Sequence, residues 1–268
     1  MIEWVYKLTI VYLLLFMAPV ASCLADTGVI VALNVTLQEL LALQEMERVE
    51  KVAGRELYQG RLYGEKVVVV RSPMGKVNNA LTVQLLLSNR RIDRVVSFAP
   101  CGALDQTLAV GDVVVASKVY QHDFGTVKPY GFVWNRVPDG TASQENGYNV
   151  LQKSVADQLV STAFPRANNR LRKGVIVTGD QFISSDSKRQ WLLRKFNAIG
   201  VDTGAAAIAQ VCYASRVPLV AVRIVTDHAG VSARADFRKS VPGYRSDIDI
   251  KDLLRIVLTT SSSIPHST

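Results

Sequence analysis

Residues 200–230 read GVDTGAAAIAQVCYASRVPLVAVRIVTDHAG, and the fold class follows from them. The pattern predicts a short strand over 199–201, a small-residue helix over about 204–215 and a strand over 219–226 that ends in Thr226-Asp227-His228. Segment 205–211 is apolar on nearly every side, so the helix is buried rather than amphipathic. Its alanines let it lie close against a sheet. The following strand is an apolar run broken only by Arg223, as expected of a strand covered on both faces. A buried strand that stops in Thr-Asp-His carries polar groups to the carboxyl edge of a sheet. In α/β proteins that edge is where ligands bind.

Working outward, strands alternate with helices along the chain. A buried-strand pattern at 28–33 precedes a helix over about 36–46, capped by Thr36 or Asn34. Segments 55–62 and 66–71 flank Tyr63-Gly64-Glu65 and predict a hairpin. The turn 72–76 opens a helix that runs to about Asn89, with Val77, Leu81 and Leu85 on one face. A strand at 95–99 and the turn 100–104 follow, then a strand at 113–119. Residues 125–146 carry Pro129, Gly131, Pro138 and Gly140 and predict an irregular loop, a lid or a subunit contact. A helix over about 149–163, a strand at 174–178, the turn 179–183 and a helix over 185–196 lead into the opening stretch. Beyond it, 231–246 reads as loop and 248–260 as a closing helix. With no repeat and no composition break, this predicts one α/β domain with a mixed sheet.

The 268 residues, 49% hydrophobic and 20% charged, have the balance of a globular protein able to bury a full core. The net charge of +8 is scattered, with only short basic clusters at 89–91 and 170–173. A nucleic-acid groove, which needs a continuous basic stripe with aromatics, is therefore not expected. No Cys/His spacing suits zinc and there are only three histidines, so neither a metal nor another cofactor is expected.

Residues 1–25 have the make-up of a signal peptide. Lys7 precedes an apolar run over 8–18, too short to span a membrane comfortably, and small residues follow at Ala21, Ser22 and Ala25. Val20-Ala21-Ser22-Cys23 also resembles a lipobox, which would anchor the envelope protein through lipid on Cys23. Cleavage before Asp26 is the alternative. Either way the expected location is outside the cytoplasm, periplasmic, lipid-anchored or secreted, with a domain over 26–268. Cys101 and Cys212 can pair in such a chain, but each sits in the apolar context of a buried free thiol.

Six motifs stand in one order and spacing: Met74-Gly75-Lys76-Val77-Asn78, Leu104 through Val115 with Gly111-Asp112, His122-Asp123, Gly179-Asp180-Gln181-Phe182-Ile183, residues 205–211, and Arg223-Ile224-Val225-Thr226-Asp227. Together they resemble the nucleoside phosphorylase superfamily, most closely the 5′-methylthioadenosine/S-adenosylhomocysteine nucleosidases, over nearly all of residues 28–260. The resemblance implies an α/β/α sandwich around a mixed, partly barrel-like sheet, a purine nucleoside or base as ligand, and a homodimer or higher oligomer. It implies that Asp227 protonates or hydrogen-bonds purine N7, a step of acid catalysis that contributes roughly 10²–10⁴-fold. It gives Phe182 the stacking role, Ile183 a backbone bond to the base edge, Thr226 the steadying of Asp227, and Arg223 a place near the water or phosphate site. Without it, Asp227 is a cap and Phe182 core packing. His228 and His122-Asp123 read as local backbone partners at strand ends.

The chain departs from that pattern in the sugar and nucleophile parts. Gly204 stands where the family has its ribose-binding glutamate, within Asp202-Thr203-Gly204-Ala205-Ala206. Loss of such a contact to a cationic sugar costs on the order of 3 kcal/mol. Thr36 stands where the family has the glutamate that activates water. The turn holding water or phosphate reads Phe98-Ala99-Pro100-Cys101-Gly102-Ala103, with Gly102 beside the ligand and a proline where the family has a serine. Glu39 and Asp202 are the nearest acids that could substitute. Three functions are compatible: a nucleosidase or phosphorylase on an adenosine-type substrate, a purine binder without turnover, and a scaffold without ligand. An acid within reach of the sugar C1′ would separate the first two.

Overall fold

The computed structural model describes residues 26–43, 46–138, 147–149, 171–241 and 250–261. The leader 1–25 with Cys23, loop residues 139–146 and the helix expected over about 149–163, from position 150 on, lie outside the described residues.

Twelve strands are described: β1 (Asp26–Val31), β2 (Met46–Val52), β3 (Arg55–Leu62), β4 (Glu65–Arg71), β5 (Ile92–Ala103), β6 (Val113–Gln121), β7 (Gly125–Lys128), β8 (Gly131–Trp134), β9 (Tyr148–Asn149), β10 (Leu171–Thr178), β11 (Ala198–Asp202) and β12 (Leu219–Asp227). The helices are α1 (Asn34–Leu41), α2 (Lys76–Asn89), α3 (Asp186–Phe196), α4 (Ala205–Ala214), α5 (Ala233–Ser240) and α6 (Ile250–Ser261). The main sheet runs β11-β10-β6-β12-β5-β1-β4-β3-β2, with β9 on β6. β11 also pairs with β5, at Gly200↔Ala103 and Val201↔Gly102, so five strands close into a barrel while the rest continue as an open sheet. The β12–β5 pairing is parallel and the β12–β6 pairing antiparallel, which makes the sheet mixed.

Helices cover both faces. Val83 and Leu86 of α2 and Ala205, Ala206 and Ile208 of α4 pack on one side with Ile30, Val68 and Val70. Leu37 and Leu40 of α1 and Leu253, Leu254 and Val257 of α6 pack on the other with Val29, Val31 and Val69. That division follows from the strands themselves: Val67 to Val70 are all buried, alternate ones against opposite layers. α4 is largely apolar because β6, β9, β10 and β12 flank it on one side and α2 on the other.

Four local expectations are corrected. The first helix stops at Leu41, and Met46–Val52 is a charged edge strand. Its Glu, Arg, Lys and Met favour helices in isolation, but pairing with β3 decides. Residues 100–103 are not a turn; they continue β5 to the point where it meets β11. Residues 125–134 form the hairpin β7–β8 rather than irregular loop. Part of 231–246 is helix α5, too short and too polar to announce itself by periodicity. Cys101 and Cys212 are buried free thiols, and burial pushes the Cys212 thiol up to about 12.

Candidate functional site

A cleft opens where β5, β11 and β12 end and where α2 and α4 begin. The structure brings together on its walls Phe182, Ile183, Asp202, Gly204, Gly102, Thr226 and Asp227. These come from four separate stretches of chain.

Asp227 sits at the end of β12, where the register against β5 shifts between Val225 and Asp227. The irregularity at Thr226 turns the strand end so that both side chains reach the cleft. Asp227 Oδ1 accepts from the Ala229 amide at 2.9 Å, and Oδ2 accepts from the Thr226 hydroxyl at 3.1 Å. Burial raises the carboxyl above the ordinary carboxylate range, against the pull of those two donors. The group thus holds a proton longer than a free aspartate. Close approach is what Gly102 supplies: a Cβ there would stand 2.7 Å from Asp227 Oδ1. Phe182, half-buried, meets the edge of Phe237 with ring centroids 5.6 Å apart, and Arg234 lies over its ring at 5.5 Å.

Asp202 lines the cleft but its oxygens are occupied. It accepts from the Thr178 hydroxyl, the Gly204 and Ala205 amides and Arg223 Nε, the last at 2.6 Å. It thereby closes the N-terminus of α4, where an anion is favoured. Thr178 Oγ1 accepts from the next amide, Ala206, at 2.9 Å. Arg223 is fully buried and does not line the cleft. Its Nη1 donates to the Ser97 and Val222 carbonyls, and its Nη2 meets no acceptor among the described residues. The guanidinium therefore braces the Asp202 wall from behind, displaced from the ligand space that the resemblance implies for it.

Glu39 lies on the exposed side of α1 and does not line the cleft, and Thr36 is buried. Pro100, Ala99 and Ala32 form an apolar stretch of wall. Among the described lining residues, Asp227 is the one carboxyl free of an ion pair, and none is Lys, Arg or His. Among the described residues no group of three or more His, Cys, Asp or Glu is placed to hold a metal ion. His228 Nε2 donates to the Leu108 carbonyl at 3.1 Å. Asp123 accepts from Lys76 Nζ and the Asp180 amide, each at 2.7 Å, tying the start of α2 to the turn after β10. His122 is wholly buried, and burial lowers it to about 4.

Two lining residues escape sequence reasoning. Phe237 lies on α5, and only the spacing of Ala233 and Phe237 hints at that helix. Asn79, on the second turn of α2, faces Gly204 across the α2–α4 contact. The run Asn78-Asn79 at the start of an otherwise apolar helix face was the available signal.

The description "Phosphorylase superfamily" fits a family model that matches residues 26–259. A 5′-methylthioadenosine/S-adenosylhomocysteine nucleosidase of Staphylococcus aureus strain MRSA252 is 35% identical over 187 residues, 69% of this chain and 79% of that protein. The nucleosidase of the same name from S. pneumoniae, solved with the transition-state inhibitor MT-ImmA, superposes with a TM-score of 0.74 at 26% identity, over 87% of this chain and 99% of that one. The Neisseria meningitidis nucleosidase in complex with methylthio-immucillin-A gives a TM-score of 0.75 at 26% identity, over 88% of this chain and 100% of that one. The chain belongs to the phosphorylase superfamily.

Proposed function

We propose that this member of the phosphorylase superfamily is a purine nucleosidase that cleaves the N-glycosidic bond of an adenosine-type nucleoside by hydrolysis. The observation that carries the reading is Asp227: a buried carboxyl, raised above its ordinary range, held by two donors on the wall of a cleft that also presents Phe182. The named relatives are nucleosidases, and two were solved with nucleoside-like inhibitors. In this chemistry the purine is a poor leaving group as an anion. A proton delivered to N7 lets it depart neutral while the sugar carbon gains cationic character. Phe182 supplies an aromatic face for the base, and the Ile183 backbone lies beside it.

Hydrolysis is favoured over phosphorolysis because among the described residues no cationic side chain lines the cleft to hold a phosphate, Arg223 being buried behind Asp202. A second reading, a purine binder without turnover, is favoured by one fact: no free carboxyl other than that of Asp227 is present on the described walls to activate water. Residues 1–25 support export, with Cys23 as a lipidation site or cleavage before Asp26, and the family resemblance supports a homo-oligomer. Fractionation of cells with a Cys23→Ala variant tests the anchor, which is rejected if both proteins partition alike.

The assay is release of free base from adenosine, 5′-methylthioadenosine, S-adenosylhomocysteine, inosine and guanosine, with and without phosphate. Release of adenine at a rate indifferent to phosphate is expected. Saturable adenine binding with no release from any nucleoside would establish the binder instead.

A further inference from the structure

Asn79 and Gly204 are fitted to each other. A Cβ added to Gly204 would lie 2.7 Å from Asn79 Cγ and 2.8 Å from both Nδ2 and Oδ1, so any side chain at 204 would displace the carboxamide. Gly204 has φ −145°, outside the positive-φ region that favours glycine, so a left-handed backbone is not what calls for glycine here. The neighbour is.

The amide is oriented by its own bonds. Nδ2 donates to the Gly75 carbonyl at 2.8 Å and the Pro73 carbonyl at 3.3 Å, and only the nitrogen end of the amide can satisfy two carbonyls. Oδ1 accepts a hydrogen bond from no described residue, although Asn79 is only 8% exposed and lines the cleft. Oδ1 is not among the side-chain atoms shut off from solvent without a partner, so its lone pairs stand open to the cleft and to whatever fills it. Asp202, the carboxyl two residues from Gly204, already accepts from four donors and has no capacity to spare, and Thr203 between them also lines the cleft.

We propose that Asn79 Oδ1 is the acceptor for a sugar hydroxyl of the bound nucleoside, and that residue 204 is glycine so that this amide can sit there. The assignment rests on the purine-nucleoside reading and adds to it the group that tells a nucleoside from a free base. A neutral acceptor holds the hydroxyl by a single hydrogen bond, so the recognition is insensitive to salt and to pH over the range where the protein is folded.

The test is calorimetric titration of the whole protein with adenine and with formycin A, a ribonucleoside whose carbon–carbon glycosidic bond is not hydrolysed. Asn79→Ala is expected to weaken formycin A about tenfold, one hydrogen bond, and to leave adenine unchanged. Gly204→Ala, which displaces the amide without altering it, is expected to do the same. The double variant is expected to be no worse than Asn79→Ala, because the new methyl then has room. One of the two deoxy forms, 2′-deoxy or 3′-deoxyformycin A, should lose the same factor on the wild type and nothing further on Asn79→Ala. Equal weakening of adenine and formycin A, no weakening of either, or additive losses in the double variant would overturn the assignment. Wild type that binds adenine but not formycin A also overturns it while sparing the base site. Binding of neither ligand rejects the functional reading, and the assignment with it.

Discussion

The two walls of the cleft are built on opposite principles. The wall formed by β12 and the turn after β10 carries a buried, proton-retaining acid at Asp227 beside the aromatic ring of Phe182. The wall formed by the starts of α2 and α4 has an acid too, Asp202, yet that acid is neutralised by Arg223 and consumed in closing a helix. What remains there for a ligand is the amide of Asn79, Thr203 and the apolar run of Ala32, Ala99 and Pro100. Two aspartates at strand ends in one cleft thus have different work. Partners decide which: Asp227 meets two uncharged donors, whereas Asp202 is ion-paired to a guanidinium at 2.6 Å.

The largest expected effect breaks the comparison on its acidic side. Asp227→Asn keeps the shape and removes the proton, and is expected to lower base release by about 10²–10⁴-fold with adenine affinity little changed. An undiminished rate would move the acid elsewhere. On the other wall the effect should fall on stability. Arg223→Met strands the buried Asp202 carboxylate and is expected to cost about 3–5 kcal/mol in urea unfolding. A variant as stable as the wild type would mean the pair is not structural. The smallest effect sharpens the base side alone: Phe182→Ala should weaken adenine by about 1–3 kcal/mol, the worth of an aromatic platform under a base. An equal loss with ribose and no base present would show that the ring serves the wall rather than the ligand.

How much of this is legible in the sequence follows the same division. The acidic wall comes from short contiguous runs at strand ends, 179–183 and 223–227, so the residues and their order point to it directly. The neutral wall does not, because it depends on a fit between Asn79, on α2, and Gly204, which caps α4 far away in the chain. A glycine in sequence shows only that a side chain is missing; its neighbour shows what fills the space. Arg223 is conspicuous in an apolar strand, but its role needs Asp202 and Ser97 in three dimensions. The α/β alternation and the mixed sheet are legible from buried-strand runs such as 67–70 and 219–226. β2 and α5 are not, since edge pairing and docking on the cleft override their weak local preferences.

The most direct test of the central claim is the dependence of kcat/KM for base release on pH. Asp227 is the one titratable group that the account gives a role at the reacting bond, and it acts in its protonated form. Its carboxyl is raised, so the rate is expected to hold at low pH and to fall tenfold per pH unit once the pH passes a value above the usual carboxylate value of about 3.9. A single falling limb, absent in Asp227→Asn, is the predicted result. A bell-shaped profile with a rising acidic limb would contradict it, because a second group would then have to lose its proton, and the wall with Asp202 would hold a working base after all.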